Sequence, residues 1–159
     1  MNVVGLRVEP RIINYTIIKD NGDFFPDKLM VPVYLDMPRR LSYIRSNLLS
    51  IIKENGISYI GLRVIEPQAN NINLDRVNIE GVIQELMCDC KIEGYKTFIK
   101  SQIKSALHLD DFKQLKDLCA NVSVSSPDDI HLEYWNSLSV NQKESILVAM
   151  CIRGDNNGK

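Results

Sequence analysis

The stretches GLRVEP (residues 5–10) and GLRVIEP (residues 61–67) echo one another, and their reading decides the fold. Each is an apolar, strand-forming run that delivers an arginine and a glutamate. Each then stops at a proline, which has no N–H to give to a ladder. The first predicts a strand over NVVGLRVE (2–9) and the second a strand over ISYIGLRVIE (57–66). The near-continuous apolar character of the latter is that of a central strand covered on both faces.

Working outward, RIINYTIIK (11–19) is a second strand, closed by the turn signal Asp20-Asn21-Gly22. A shorter third strand is expected in KLMVPVY (28–34), where Pro32 favours an edge position. The period then changes. From Pro38 to Asn55 the residues Leu41, Ile44, Leu48, Leu49, Ile51 and Ile52 recur at three- and four-residue spacing, predicting a helix over 38–55 with Asp36 as N-cap and Asn55-Gly56 as its stop. After strand four, the polar loop PQANNIN (67–73) leads into a second helix over 74–90, with Ile79, Val82, Ile83, Leu86, Met87 and Cys90 as its apolar stripe. Tyr95 to Ile99 can form a fifth strand. Short helical pieces follow over 99–119, then an irregular segment over 120–138. A last helix over 140–153 is opened by Ser139 and Gln142 at capping-box spacing.

The order is β-β-β-α-β-α-β-α. If a right-handed helical crossover joins the three-stranded meander to strand four, strands one and four lie side by side and parallel. Arg7, Glu9, Arg63 and Glu66 then reach the same sheet end. On an ideal strand Glu9 shares the face of Arg7, whereas Glu66 lies three residues beyond Arg63 and points the other way unless a bulge intervenes.

At 159 residues, 45% hydrophobic and 25% charged, the chain has an ordinary globular composition and enough length for one well-buried core, so one domain over 1–159 is expected. The net charge of −1 gives no global attraction to nucleic acid or to an anionic membrane, so any polyanion must meet a local patch. The start MNVVGLRVEP lacks the pattern of a signal peptide and no apolar run approaches a membrane span, which reads as a cytoplasmic protein without a membrane partner. Cys88 and Cys90 are two apart in a helical run and point about 200° apart, which suits neither a shared metal nor a disulfide. With Cys119 and Cys151 they read as free thiols. No Walker, G-x-G-x-x-G or G-x-S-x-G pattern occurs, and His108 and His131 stand outside any recognised ligand spacing.

This element order, with VVGLR opening the chain, GLRVIEP closing strand four and NQKESILVAMCIR as the last helix, resembles the RuvC-like branch of the RNase H-like (retroviral integrase) nuclease superfamily. The resemblance implies an α/β fold with a mixed five-stranded sheet flanked by helices. It also implies carboxylates that hold two divalent ions, Mg²⁺ or Mn²⁺, for phosphodiester hydrolysis, and a homodimer. In that family an aspartate follows the Gly-apolar pair of strand one, a glutamate closes strand four and acids sit in the last helix. Here Arg7 occupies the first position, Glu66 or, in direct register, Arg63 the second, and Glu144 the third. A rebuilt catalytic and metal site would draw on Glu9, Glu66 and Glu144.

Arg7 and Arg63 have two readings. They bind a phosphate or carboxylate at the carboxyl end of the sheet, or each pairs with a nearby acid such as Glu9, Glu66 or Glu80 and ties strand to helix. Arg76, beside the 68–73 loop, offers a donor suited to phosphate. Lys96, Lys100 and Lys104 recur every four residues and either follow a phosphate backbone or form a solvated helix edge. The leading expectation is a divergent RuvC-like protein acting on nucleic acid, either a metal-dependent endonuclease with altered acids or a degenerate DNA-binding relative. The competing expectation is a non-enzymatic interaction protein that uses the same sheet as a scaffold.

Overall fold

In the computed structural model, which describes residues 1–127 and 130–157, strands β1 (Asn2–Val8), β2 (Ile12–Ile18), β3 (Phe24–Met30), β4 (Ile57–Arg63) and β5 (Gly94–Phe98) form one mixed sheet. Their spatial order is β3-β2-β1-β4-β5. The meander β1-β2-β3 is antiparallel, and β4 pairs in parallel with both β1 and β5. The echoed segments are therefore central neighbours in register: Gly5 lies opposite Gly61, Leu6 opposite Leu62 and Arg7 opposite Arg63.

Alternation sends the two leucines to one face of the sheet and the glycines and arginines to the other. On the leucine face lie α1 (Met37–Glu54) and α2 (Leu74–Asp89), whose Ile44, Leu48, Ile79 and Ile83 join Leu6 and Leu62 in one core. Asp36 caps α1 as its spacing predicted, its side chain accepting from the Arg39 N–H at 3.1 Å. The glycine face carries α6 (Val140–Asn156), opened by the expected Ser139–Gln142 capping box. Outside α6 lie α3 (Lys100–Ala106), α4 (Phe112–Cys119) and α5 (Leu132–Ser137), which contribute Ile103, Leu115 and Trp135 to the second core. Because α6 has the sheet on one side and these helices on the other, Ser145 through Ala149 are all buried.

The glycine pair makes this packing possible. A Cβ on Gly5 would stand 2.3 Å from both the Ala149 nitrogen and the Ser145 carbonyl oxygen, so the backbone of α6 rests directly on β1. A Cβ on Gly61 would meet the Val148 side chain at 2.7 Å. Beside Gly5, the hydroxyls of Thr16 and Ser145 hydrogen-bond at 2.8 Å across the same seam.

Several boundaries differ from the sequence reading. The third strand is Phe24–Met30 rather than 28–34, because Gly22, at φ +95°, turns the chain tightly enough for pairing to resume at Phe24 opposite Ile18. The edge position stands, and the proline within the strand is Pro26, facing Thr16, not Pro32. Strand one ends at Val8 and strand four at Arg63, leaving Glu9 and Glu66 beyond the pleat. A short helix, α5, occupies part of the segment read as irregular. Its Trp135 is fully buried, donating to the Leu118 carbonyl at 2.8 Å. Within this layer the amine of Lys143, also fully buried, donates to the Ala120 carbonyl at 2.5 Å and lies 5.5 Å from the Trp135 ring centre. Burial lowers its pKa from the ordinary lysine value. Among the described residues no helix is long and apolar enough to cross a membrane.

The two glycines should respond differently to the same added methyl. Gly5→Ala meets backbone atoms that cannot step aside and is expected to destabilise the chain by more than about 3 kcal/mol. Gly61→Ala meets the tip of a valine side chain and should cost roughly 1–2 kcal/mol. Urea unfolding of both variants measures the difference, and equal losses would show that α6 does not sit on β1 as described.

Candidate functional site

At the carboxyl end of β1 and β4, two residues beyond the glycines, Arg7 and Arg63 project from the face that α6 covers. Glu144, in the second turn of α6, lies between them. Arg7 Nε donates to Glu144 Oε2, and Arg63 Nε stands 3.9 Å from the same oxygen. Arg63 Nη2 reaches Glu66 Oε1 at 2.7 Å, and that oxygen also accepts the Lys100 backbone N–H at 2.9 Å. Both guanidiniums donate to a carbonyl at their own strand ends, Arg7 to Val8 and Arg63 to Val64. The result is an alternating chain of charge, Arg7–Glu144–Arg63–Glu66.

Burial decides how strongly this chain is held. The side chain of Arg63 is only 3% exposed, that of Arg7 14% and that of Glu144 15%. Desolvation lowers the Arg63 pKa, Glu144 and Glu66 oppose that shift, and Arg7 and Arg76 add to it. Its Nε makes no hydrogen bond, so Arg63 is held by Glu66, by the Val64 carbonyl and by the nearby charge of Glu144.

The other expected site residues lie elsewhere. Glu9 accepts from Asn14 Nδ2 at 2.7 Å on the β2 side of β1. Arg76 Nε donates to Glu80 Oε1 at 2.6 Å, and the buried Glu80 accepts the Ile65 N–H at 3.0 Å with its other oxygen, strapping α2 to the exit of β4. The lysine row is not uniform: Lys96 is neutralised by Asp155 at 2.6 Å, the Lys104 amine lies 5.5 Å from the Phe112 ring centre, and Lys100 is exposed. Glu144, expected in the last helix as one acid of a rebuilt site, lies at the ends of strands one and four, paired with Arg7. Glu80, offered by the sequence reading as a partner for Arg7 or Arg63, pairs with Arg76 instead, for which their i, i+4 spacing was the available signal.

Beside the ion network, under α3 and α4, opens a cavity of about 600 Å³ lined by Arg63, Glu144, Ile103, Leu115, Val140 and Leu147, among others. The α4 wall falls within the short helical pieces expected over 99–119, but the sequence reading assigned no site to it, although Leu115, Leu118 and Cys119 follow helical spacing in FKQLKDLC.

A Mg²⁺ or Mn²⁺ site needs several oxygens converging on one point. Here Glu144 and Glu66 are turned to guanidiniums and Glu9 to an amide, and among the described residues no three His, Cys, Asp or Glu side chains group to hold a metal ion. The donor set as it stands does not fit a divalent cation.

Sequence comparison matches no family model and no curated protein. Solved structures do match. Thermus thermophilus RuvC in complex with a Holliday junction substrate superposes with a TM-score of 0.64 at 10% identity, covering 97% of this chain and 94% of that one. The chain has a RuvC-like, RNase H-like fold. A second Thermus thermophilus RuvC structure gives 0.62 at 11% identity, with the same coverage of both chains. The yeast mitochondrial Holliday junction resolvase Ydc2 gives 0.58 at 11%, covering 96% of this chain and 77% of that one. In this RuvC-like setting the pairing of β1 with β4 and the seat of α6 follow the expected architecture, and an ion network stands at the strand ends.

Removing the central acid should be costly. Glu144→Gln leaves two largely buried guanidiniums facing one another and is expected to destabilise the chain by roughly 3 kcal/mol or more. Glu66→Gln, at a more exposed carboxylate, should cost about 1 kcal/mol or less. Chemical denaturation of the two variants tests the ranking, and a stable Glu144→Gln protein would break the described network.

Proposed function

We propose that the chain is a degenerate RuvC-like protein that binds nucleic acid without cutting it, with residues 1–159 acting as one domain. The observation that carries this reading is the commitment of Glu144 and Glu66 to Arg7 and Arg63 at the strand ends. Fixed guanidiniums hold the positive charge there, and they repel a free cation at contact range. Support for nucleic acid as partner comes from the fold shared with resolvases, one of them solved with a Holliday junction, and from the cation Lys100 beside the network, with Lys104 one turn further along α3. The near-neutral chain would bind through this patch alone, so affinity should be modest and strongly dependent on salt.

The test is fluorescence anisotropy of a labelled four-way junction and a matched duplex, titrated with protein at several salt concentrations and with either EDTA or Mg²⁺ present. Binding should occur at low salt, be indifferent to EDTA and leave the DNA intact. The variants are Lys100→Glu and Lys104→Glu, because replacing Arg63 would confound binding with stability. Each lost phosphate contact should lower the slope of log K against log salt by about 1. Absence of binding at low salt would overturn nucleic acid as partner, and Mg²⁺-dependent cleavage would overturn the non-cutting reading.

A further inference from the structure

The cavity under α3 and α4 has a composition that the nucleic-acid reading does not use. Its walls are Ile103, Leu115, Val140 and Leu147, with Phe112 at the rim. Cys119, also in the wall, has its thiol pKa pushed up to about 12 by burial, so it is a neutral apolar surface rather than a nucleophile. On one side Arg63 and Glu144 line the space, already engaged with Glu66 and Arg7. The charges left over are Lys100 and Lys116, both exposed, both lining the opening, and neither in an ion pair among the described residues.

A volume of about 600 Å³ falls within the range of sites for small organic ligands, roughly 300–1,000 Å³. Carbon-lined space gains dispersion contacts when an apolar body fills it and gives water few partners. Unpaired ammonium groups at the mouth favour a negative charge at one end of that body. We infer that the α3–α4–α6 cavity binds a small amphipathic anion, its hydrocarbon or ring body against Ile103, Leu115, Val140 and Leu147 and its carboxylate or phosphate between Lys100 and Lys116. The site stands apart from nucleic-acid binding, sharing with it only Lys100.

The test is calorimetric titration of the full chain with octanoate, octyl phosphate and octanol. The anions should bind at least about tenfold more tightly than the alcohol, a difference of about 1.4 kcal/mol. The tighter of the two anions identifies the head group. Lys116→Glu, at an exposed position outside the ion network, should keep the wild-type thermal midpoint and abolish that preference. Val140→Trp, at the first turn of α6, should exclude all three ligands. If Val140→Trp fails to fold, Lys116→Glu decides by itself. No binding of either anion, equal binding of octanol, or unchanged octanoate affinity in Lys116→Glu would overturn the assignment.

Discussion

The close approach of α6 to the sheet is the constraint on which the rest of the molecule depends. With a hydrogen in place of a side chain at Gly5 and Gly61, the α6 backbone at Ser145 and Ala149 comes down onto β1, and Val148 fits over β4. The helix is then close enough for Ser145 to bond Thr16, and Glu144, one residue earlier, falls between Arg7 and Arg63. The repeated Gly-Leu-Arg is therefore a unit with three jobs. Its glycine admits the helix, its leucine fills the opposite core, and its arginine meets the helix's acid. The two copies work together only because the strands are parallel and in register.

The charges are organised by the same geometry. A buried carboxylate or guanidinium is costly to desolvate, and the cost is offset only when each finds an opposite partner at hydrogen-bonding range. Along Arg7–Glu144–Arg63–Glu66 the signs alternate, and Glu66 gains a further donor from the first turn of α3. In a two-cation site the positive charge arrives with ions and leaves with them. Here it is built into the chain, so the carboxylates are satisfied by the folded protein itself. A site closed in this way has little driving force to dehydrate and retain Mg²⁺, which gives up its water reluctantly.

Much of this was legible in the sequence, and the illegible parts have physical causes. The parallel pairing of strands one and four followed from the echo and from crossover handedness, and α1, α2 and α6 followed from periodicity and caps. The bounds of β3 were missed because local turn chemistry outweighed strand propensity. Asn21 and Asp23 bond to one another across Gly22, at 2.7 Å between side chains and 3.1 Å to the Asp23 N–H, and the hairpin closes early. The six-residue α5 is too short to show a period, and its stability comes from Trp135 packing in the second core. At the site, strand alternation predicted that Glu66 would point away from Arg63. The strand ends at Arg63, alternation ends with it, and Glu66 turns back to its own arginine. Which acid each arginine meets is a tertiary fact that spacing alone does not carry.

Two adjacent residues show how α6 joins the halves of the molecule. Glu144 turns to the strand ends, while Lys143 turns to the α4–α5 connection, where the Ala120 carbonyl, the Ser123 hydroxyl and the Trp135 ring receive its charge. No carboxylate pairs with Lys143 among the described residues, so its retention depends on these dipoles and on the ring face. The helix is thus pinned by charge on both flanks over one turn. The glycines fix its height above the sheet, and the short α3 and α4, seven and eight residues long, leave a gap against α6 that Val140 and Leu147 line. The cavity and the ion network have a common origin, because the position of α6 that brings Glu144 to Arg7 and Arg63 also sets the gap that α3 and α4 leave open.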